Sequence, residues 1–266
     1  MNALSLLAAL LLTFPNLEAS PQASAPASTT STQAVTLLAQ SVAALTGKAT
    51  LSDVTLTGTA RRIAGSDDES GSVTLQVLSG GYSKIQLSLP SGSRSEVHTM
   101  VNSTPAGSWS GPDGISRQLA QHNLIGDPGL FPVLALASIL SSQNSVATMV
   151  GQETKNGQAV EHISVSQISN VSDPLVAASF AHLTHVDFYL DSATLLPAAV
   201  SFNAHPDNNA LLDIPVQIVF SSYQTISGVK IPMHVQKFFN NSLLLDLQFQ
   251  SASINSGLTA SAFGPL

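Results

Sequence analysis

The stretch Val54-Thr55-Leu56-Thr57-Gly58-Thr59-Ala60, with Val73-Thr74-Leu75-Gln76-Val77 after it, sets the reading of the chain. Val54, Leu56 and Ala60 alternate with Thr55, Thr57 and Thr59, and Val73, Leu75 and Val77 alternate with Thr74 and Gln76. Side chains along a strand point alternately to its two faces, so this period of two predicts strands with one apolar face and one wet face. Ile85, Leu87 and Leu89 repeat the pattern. The polar run 64–71 between the first two segments predicts a hairpin loop, and strands joined so locally predict an antiparallel meander.

Upstream the period changes to that of a helix. Thr30-Ser31-Thr32-Gln33 has capping-box spacing, Val35, Leu38, Val42 and Leu45 share one face, and Gly47 suits the helix end. Before this, residues 3–14 form an apolar run too short to cross a bilayer, which takes about 20 residues, and read as a signal-peptide core. The expected organisation is a signal peptide over residues 1–25, a flexible Ser/Thr/Pro/Ala leader over 26–32, and a single domain over 33–266, periplasmic or secreted. No transmembrane segment is expected in the mature form.

Downstream, alternation resumes at residues 97–101 and breaks at the turn-rich Gly107-Ser108-Trp109-Ser110-Gly111-Pro112-Asp113-Gly114. Asp127-Pro128 then reads as the start of a helix whose segment 130–140 is apolar nearly all round. Segments 162–168, 186–190, 198–202, 216–220, 229–235 and 243–249, the last two joined by a turn at 239–242, bring the count to about ten strands. The expected fold class is α+β, β-dominated: a large antiparallel curved sheet, wet on one side and covered by about two helices. So few helices over so broad a face predict a cavity between helices and sheet.

The segment Tyr223-Gln224-Thr225-Ile226-Ser227-Gly228-Val229-Lys230-Ile231-Pro232, then a hairpin, then Leu247-Gln248-Phe249 with Ile254-Asn255 and Phe263, carries a resemblance. With the leading helix and the Trp109 to Gly114 turn ahead of an apolar insert helix, it resembles the periplasmic lipoprotein-carrier superfamily. That is the LolA/LolB-like fold, also seen in the N-terminal domain of the sigma-factor regulator RseB. The resemblance covers residues 33–266 and implies an open half-barrel whose concave apolar face, lidded by helices, takes up acyl chains or another apolar ligand. Trp109, Phe131, Leu134, Ile139, Phe180 and Phe188 are the large apolar residues expected around that cavity. Arg61 and Arg62 read as a solvated hairpin end.

Other chemistries find little support. The absence of cysteine excludes disulfides, thiolate zinc sites, a cysteine nucleophile and an acylated lipobox. A net charge of -7 with only 9 Lys and Arg leaves no basic patch for nucleic acid. His182 and His185 diverge if they lie in a strand, and His98, His122, His162, His205 and His234 have no ligand spacing, so no metal or cofactor is expected. Gly107-Ser108-Trp109-Ser110-Gly111 has Trp where a nucleophile elbow needs Ser, Asp67-Asp68-Glu69 reads as a charged hairpin tip, and Gly80-Gly81 as a turn. The expected function is an exported, non-enzymatic, monomeric binding or carrier protein for a lipid or other apolar ligand. The alternative is an envelope protein-interaction or stress-sensing module on the same fold, with a protein partner.

Overall fold

The alternating segments pair into one antiparallel sheet of 13 strands. The computed structural model describes residues 30–47 and 49–264. The expected signal peptide and residues 26–29 of the leader lie outside the described residues. In chain order the elements are α1 (Thr32–Thr46), β1 (Asp53–Ala64), β2 (Asp67–Leu78), β3 (Tyr82–Leu89), β4 (Gly92–Val101), β5 (Thr104–Ser110), β6 (Ser116–Gln118), α2 (Gln121–Leu124) and α3 (Pro132–Ser141). They continue with β7 (Ser145–Lys155), β8 (Gln158–Gln167), α4 (Pro174–Leu183), β9 (Val186–Asp191), β10 (Pro197–Ala204), β11 (Ile214–Ile226), β12 (Val229–Phe239), β13 (Ser242–Ile254) and a 3-10 turn at Ala260–Phe263.

Every pairing but one joins strands consecutive in sequence; the exception, β1 with β13, welds the first half of the sheet to the second. The spatial order therefore runs from β6 at one edge through β1 and β13 to β7 at the other. The sheet curves without closing, which gives the half-barrel. One consequence follows from topology alone. Between β6 and β7 the chain has to pass from one edge of the sheet to the other, so α2, the 125–131 loop and α3 bridge its open side.

The inner face and α1 make the core. Leu38 and Leu45 of α1 are fully buried and join one apolar cluster with Leu56, Leu75, Ile163, Phe188, Ile218, Ile231 and Leu247, drawn from seven strands. Each such side chain contributes about 1.5–3 kcal/mol on leaving water. Among the described residues the outer face carries a small second cluster of Val160, Tyr189 and Ala199.

Several local expectations are corrected. Ser31, not Thr30, caps α1, its hydroxyl accepting from the Ala34 amide at 3.3 Å, while Gly47 ends the helix with φ +58° as anticipated. Asp127-Pro128 does not start α3: the Asp127 carboxylate accepts from the Gly129 amide at 2.7 Å and turns the loop, and Pro132 opens the helix. The 64–71 loop is only a Gly65-Ser66 turn, because Arg61 and Asp68 form a two-pronged pair at 2.7 and 2.6 Å that keeps both strands extended beyond their apolar part. The count of about ten strands was low. β7 carries a register shift between Met149 and Gly151 that breaks its alternation, β5 runs into the turn-rich stretch, and β6, just after it, is an edge strand of three residues. The helices among the described residues number four rather than two, α4 among them: it is apolar but buries no side chain, so no stripe marks it, although Asp173-Pro174 supplies its cap and first residue.

Candidate functional site

A cavity of about 210 Å³ lies under the bridging segment. Its walls come from the β2–β3 turn (Val77, Tyr82), the 125–131 loop, α3 (Leu134, Ala135, Ile139) and the start of β9 (Val186). Tyr82 is backed by Phe263 of the C-terminal 3-10 turn, ring centroids 5.6 Å apart. Gly126 crosses so close to the Leu183 carbonyl that a Cβ would come to 2.2 Å from it, which fixes the loop against the end of α4. The helix over the cavity has 10 residues, no side-chain cap and two buried anchors beyond Pro132, Val133 and Leu136. A helix that short is marginal by itself and is held by packing on α1.

The cavity has a polar side. His98 and Asp127 line it, and His98 Nε2 lies 3.0 Å from Glu96 Oε1. Register places this pair on the inner, nominally apolar face: Glu96 sits opposite Ile85, Ile85 opposite Leu75, and Leu75 opposite Leu56. Lys237 shares that face, opposite Ile218, and so does Arg62, opposite Leu245. Arg62 is thus not the solvated hairpin end that Arg61 is, and its Nη1, like Nε of Arg94, is buried without a hydrogen-bond partner among the described residues. Charged residues on this face break the strand alternation in β4, which is why the sequence alone gave no warning of the group.

Burial opposes charge on all three ionisable groups, and in each the neighbours win. Desolvation would raise the Glu96 carboxyl, but the His98 hydrogen bond and the Lys237 charge hold it down at about 2. Desolvation would lower His98, yet the Glu96 hydrogen bond and the Asp127 charge raise it above its ordinary value. Lys237 is likewise raised against burial by Asp127 and Glu96. A raised histidine contributes stability that is complete below its unfolded pKa, near 6.5, and is lost as pH rises through the folded value. The Glu96 contribution is complete above about 4.5 and is lost as pH falls toward about 2. Urea midpoints are therefore expected to fall from pH 6 to pH 9, and His98→Gln is expected to flatten that fall. An unchanged slope in the variant would contradict the assignment.

Of the six residues expected around the cavity, Phe131, Leu134 and Ile139 line it. Phe188 is fully buried in the filled part of the core, and Phe180 lies on α4, away from the cavity lining. Trp109 is 39% exposed near the sheet edge, with the Arg117 guanidinium 4.9 Å over its ring. Ser110, in the stretch that superficially matched a nucleophile turn, exchanges a hydrogen bond with Ser95 at 2.9 Å within the sheet. His182 ends α4 rather than lying in a strand and meets Asp213, whereas His185 bonds Ser164. Two groups each unite segments distant in sequence, α4 with the β10–β11 loop in His182, His205 and Asp213, and β4 with the 125–131 loop in Glu96, His98 and Asp127, each with ligand atoms within 4.8 Å of one another. Sequence spacing could not reveal either, because each is assembled from separate strands, helices and loops.

No protein-family model and no curated protein matches the sequence, so likeness is carried by architecture. A solved domain described as an outer membrane lipoprotein-sorting protein, from Vibrio parahaemolyticus, superposes with a TM-score of 0.55 at 12% identity, covering 87% of this chain and 96% of that one. A DUF1329 family protein from Desulfovibrio piger gives 0.55 at 11% identity over 87% and 95%. A LolA superfamily protein from Nitrosomonas europaea gives 0.53 at 12% identity over 87% and 97%. With its single open sheet, its bridging helices and its leading helix on the inner face, this chain has the LolA-like half-barrel fold.

Proposed function

We propose that this is an exported, non-catalytic binding or carrier protein that takes the apolar part of a lipid-like ligand beneath α3, with the ligand's polar end against the charged side of the cavity. The observation that supports it most is the juxtaposition in one cavity of an apolar wall, Leu134 and Ile139 with Val77 and Val186, and a polar one, His98 and Asp127. Apolar burial at about 25 cal/mol per Å² supplies the affinity, and the polar groups set the orientation. The volume, about 210 Å³, is below the roughly 300–1,000 Å³ of sites that enclose a drug-sized ligand. A long acyl chain therefore needs α3 to move outward, which a short, uncapped helix held by tertiary contacts permits. The neighbours described as lipoprotein-sorting and LolA superfamily proteins agree with this reading.

Native mass spectrometry with lipid extraction, on protein purified from its own cell envelope, tests the proposal together with titration by a fluorescent fatty acid. Lipid is expected to co-purify, and Leu134→Glu to weaken fatty-acid uptake at least tenfold while thermal unfolding stays near wild type, because Leu134 is only partly buried. Phe131→Glu is a poorer probe, since Phe131 is 2% exposed and its loss threatens the fold. A ligand-free protein that also ignores the fatty acid would replace this reading by that of a protein-interaction module.

A further inference from the structure

We propose that His182, His205 and Asp213 form a binding site for a divalent transition metal of the zinc class, and that the ion fastens α4 to the loop between β10 and β11. The site stands apart from the cavity and does not depend on the function proposed above. It starts from a structural deficit. α4 buries no side chain and exposes Leu175 at 79%, and the loop it faces exposes Leu211 at 81%. Apolar burial therefore does little to hold either segment, and a helix of this length does not persist without tertiary support. What joins them is polar: His182 Nε2 lies 3.0 Å from Asp213 Oδ1, and His205 Nδ1 lies 3.4 Å from the same oxygen.

Those spacings fit a shared ion. With zinc bonds of about 2.0–2.1 Å, two tetrahedral ligands stand about 3.3 Å apart. The donor set, two imidazoles and a carboxylate, suits zinc and its neighbours rather than calcium or magnesium, which take oxygen. His205 is the anchor, with a side chain 1% exposed. Its Nδ1 faces two acceptors, Asp213 and the Leu212 carbonyl at 3.2 Å, so that nitrogen holds the proton in the ion-free protein. Its Nε2 is then a bare, buried nitrogen without a partner among the described residues. Ligation through Nδ1 moves the proton to Nε2 and replaces a weak contact to Asp213 by a metal bond. The ring of His122 lies 5.9 Å from that of His205, which puts a third imidazole beside the site. The other three-residue group, Glu96, His98 and Asp127, is less suited to a cation, because the Lys237 charge acts on it and the Glu96 hydrogen bond favours the protonated form of His98, which does not ligate.

The test uses the whole chain, stripped with a chelator and titrated with zinc chloride at pH 7.5 by calorimetry, with hydrogen exchange as a second readout. One ion per chain is expected, with slowed exchange in α4 and a raised unfolding temperature. His182→Gln and Asp213→Asn, both at half-exposed positions that folding tolerates, are expected to weaken binding tenfold or more and to abolish the α4 protection. His98→Gln is expected to leave both unchanged. Absence of a one-to-one event overturns the proposal, and so does binding that survives His182→Gln or that is lost instead in His98→Gln.

Discussion

Replacing Phe188 by Ala is expected to cost about 3–5 kcal/mol, a large part of the roughly 5–15 kcal/mol that separates folded from unfolded domains. Phe188 is fully buried, flanked on the same face by Ile163 of β8 and Val200 of β10, which are 0% and 1% exposed. Close-packed neighbours on both sides cannot collapse into the space left by a ring, so the cavity term adds to the lost transfer energy. Urea unfolding followed by circular dichroism measures it. A loss under about 1 kcal/mol would mean that Phe188 borders a void already present, and would return it to the ligand cavity where the sequence had suggested it. The comparison separates the filled part of the half-barrel from the open part under α3.

Gly58→Ala should be comparably damaging, by another mechanism. Gly58 sits where the β1–β13 register shifts between Thr57 and Gly58, on the one pairing that joins the two halves of the sheet. A Cβ there would fall 2.0 Å from the Gln248 carbonyl oxygen and 2.7 Å from Phe249 Cα. Both obstacles are backbone, so no side-chain rotation relieves them and the strands themselves have to part. A loss of about 3 kcal/mol or more is expected, or failure to accumulate as soluble protein. The neighbouring exposed Thr59→Val should stay within about 0.5 kcal/mol of wild type. Wild-type stability in Gly58→Ala would show that β1 and β13 do not pair in this register.

The half-barrel was legible in the sequence to the extent that one face of each strand was uniformly apolar. Val54, Leu56, Val73 and Leu75 announce their strands, and the structure pairs them in consecutive order. Where the inner face is not apolar, the signal fails. Glu96 and His98 occupy inward positions of β4, and Arg62 an inward position of β1, so the polar side of the cavity looked like ordinary surface until the register was known. α4 shows the opposite failure. It is apolar yet outside the core, and the periodicity that identifies helices measures burial of a stripe rather than helicity itself.

By itself the sequence determined the elements with local causes: an apolar alternation of period two, a leading amphipathic helix ended by Gly47, and an order of strands that favours neighbours in sequence. It determined as well, through the lack of cysteine, that no disulfide holds the sheet together. Only the tertiary structure decided which edges remain open, that the link from β6 to β7 lies over the open side, and which half of the expected cavity residues line it. It alone brought His182, His205 and Asp213 together. The physical reason is common to these cases. Alternation and capping act between residues a few positions apart, whereas a cavity or a ligand set is made by side chains whose proximity is fixed by the pairing and curvature of the sheet.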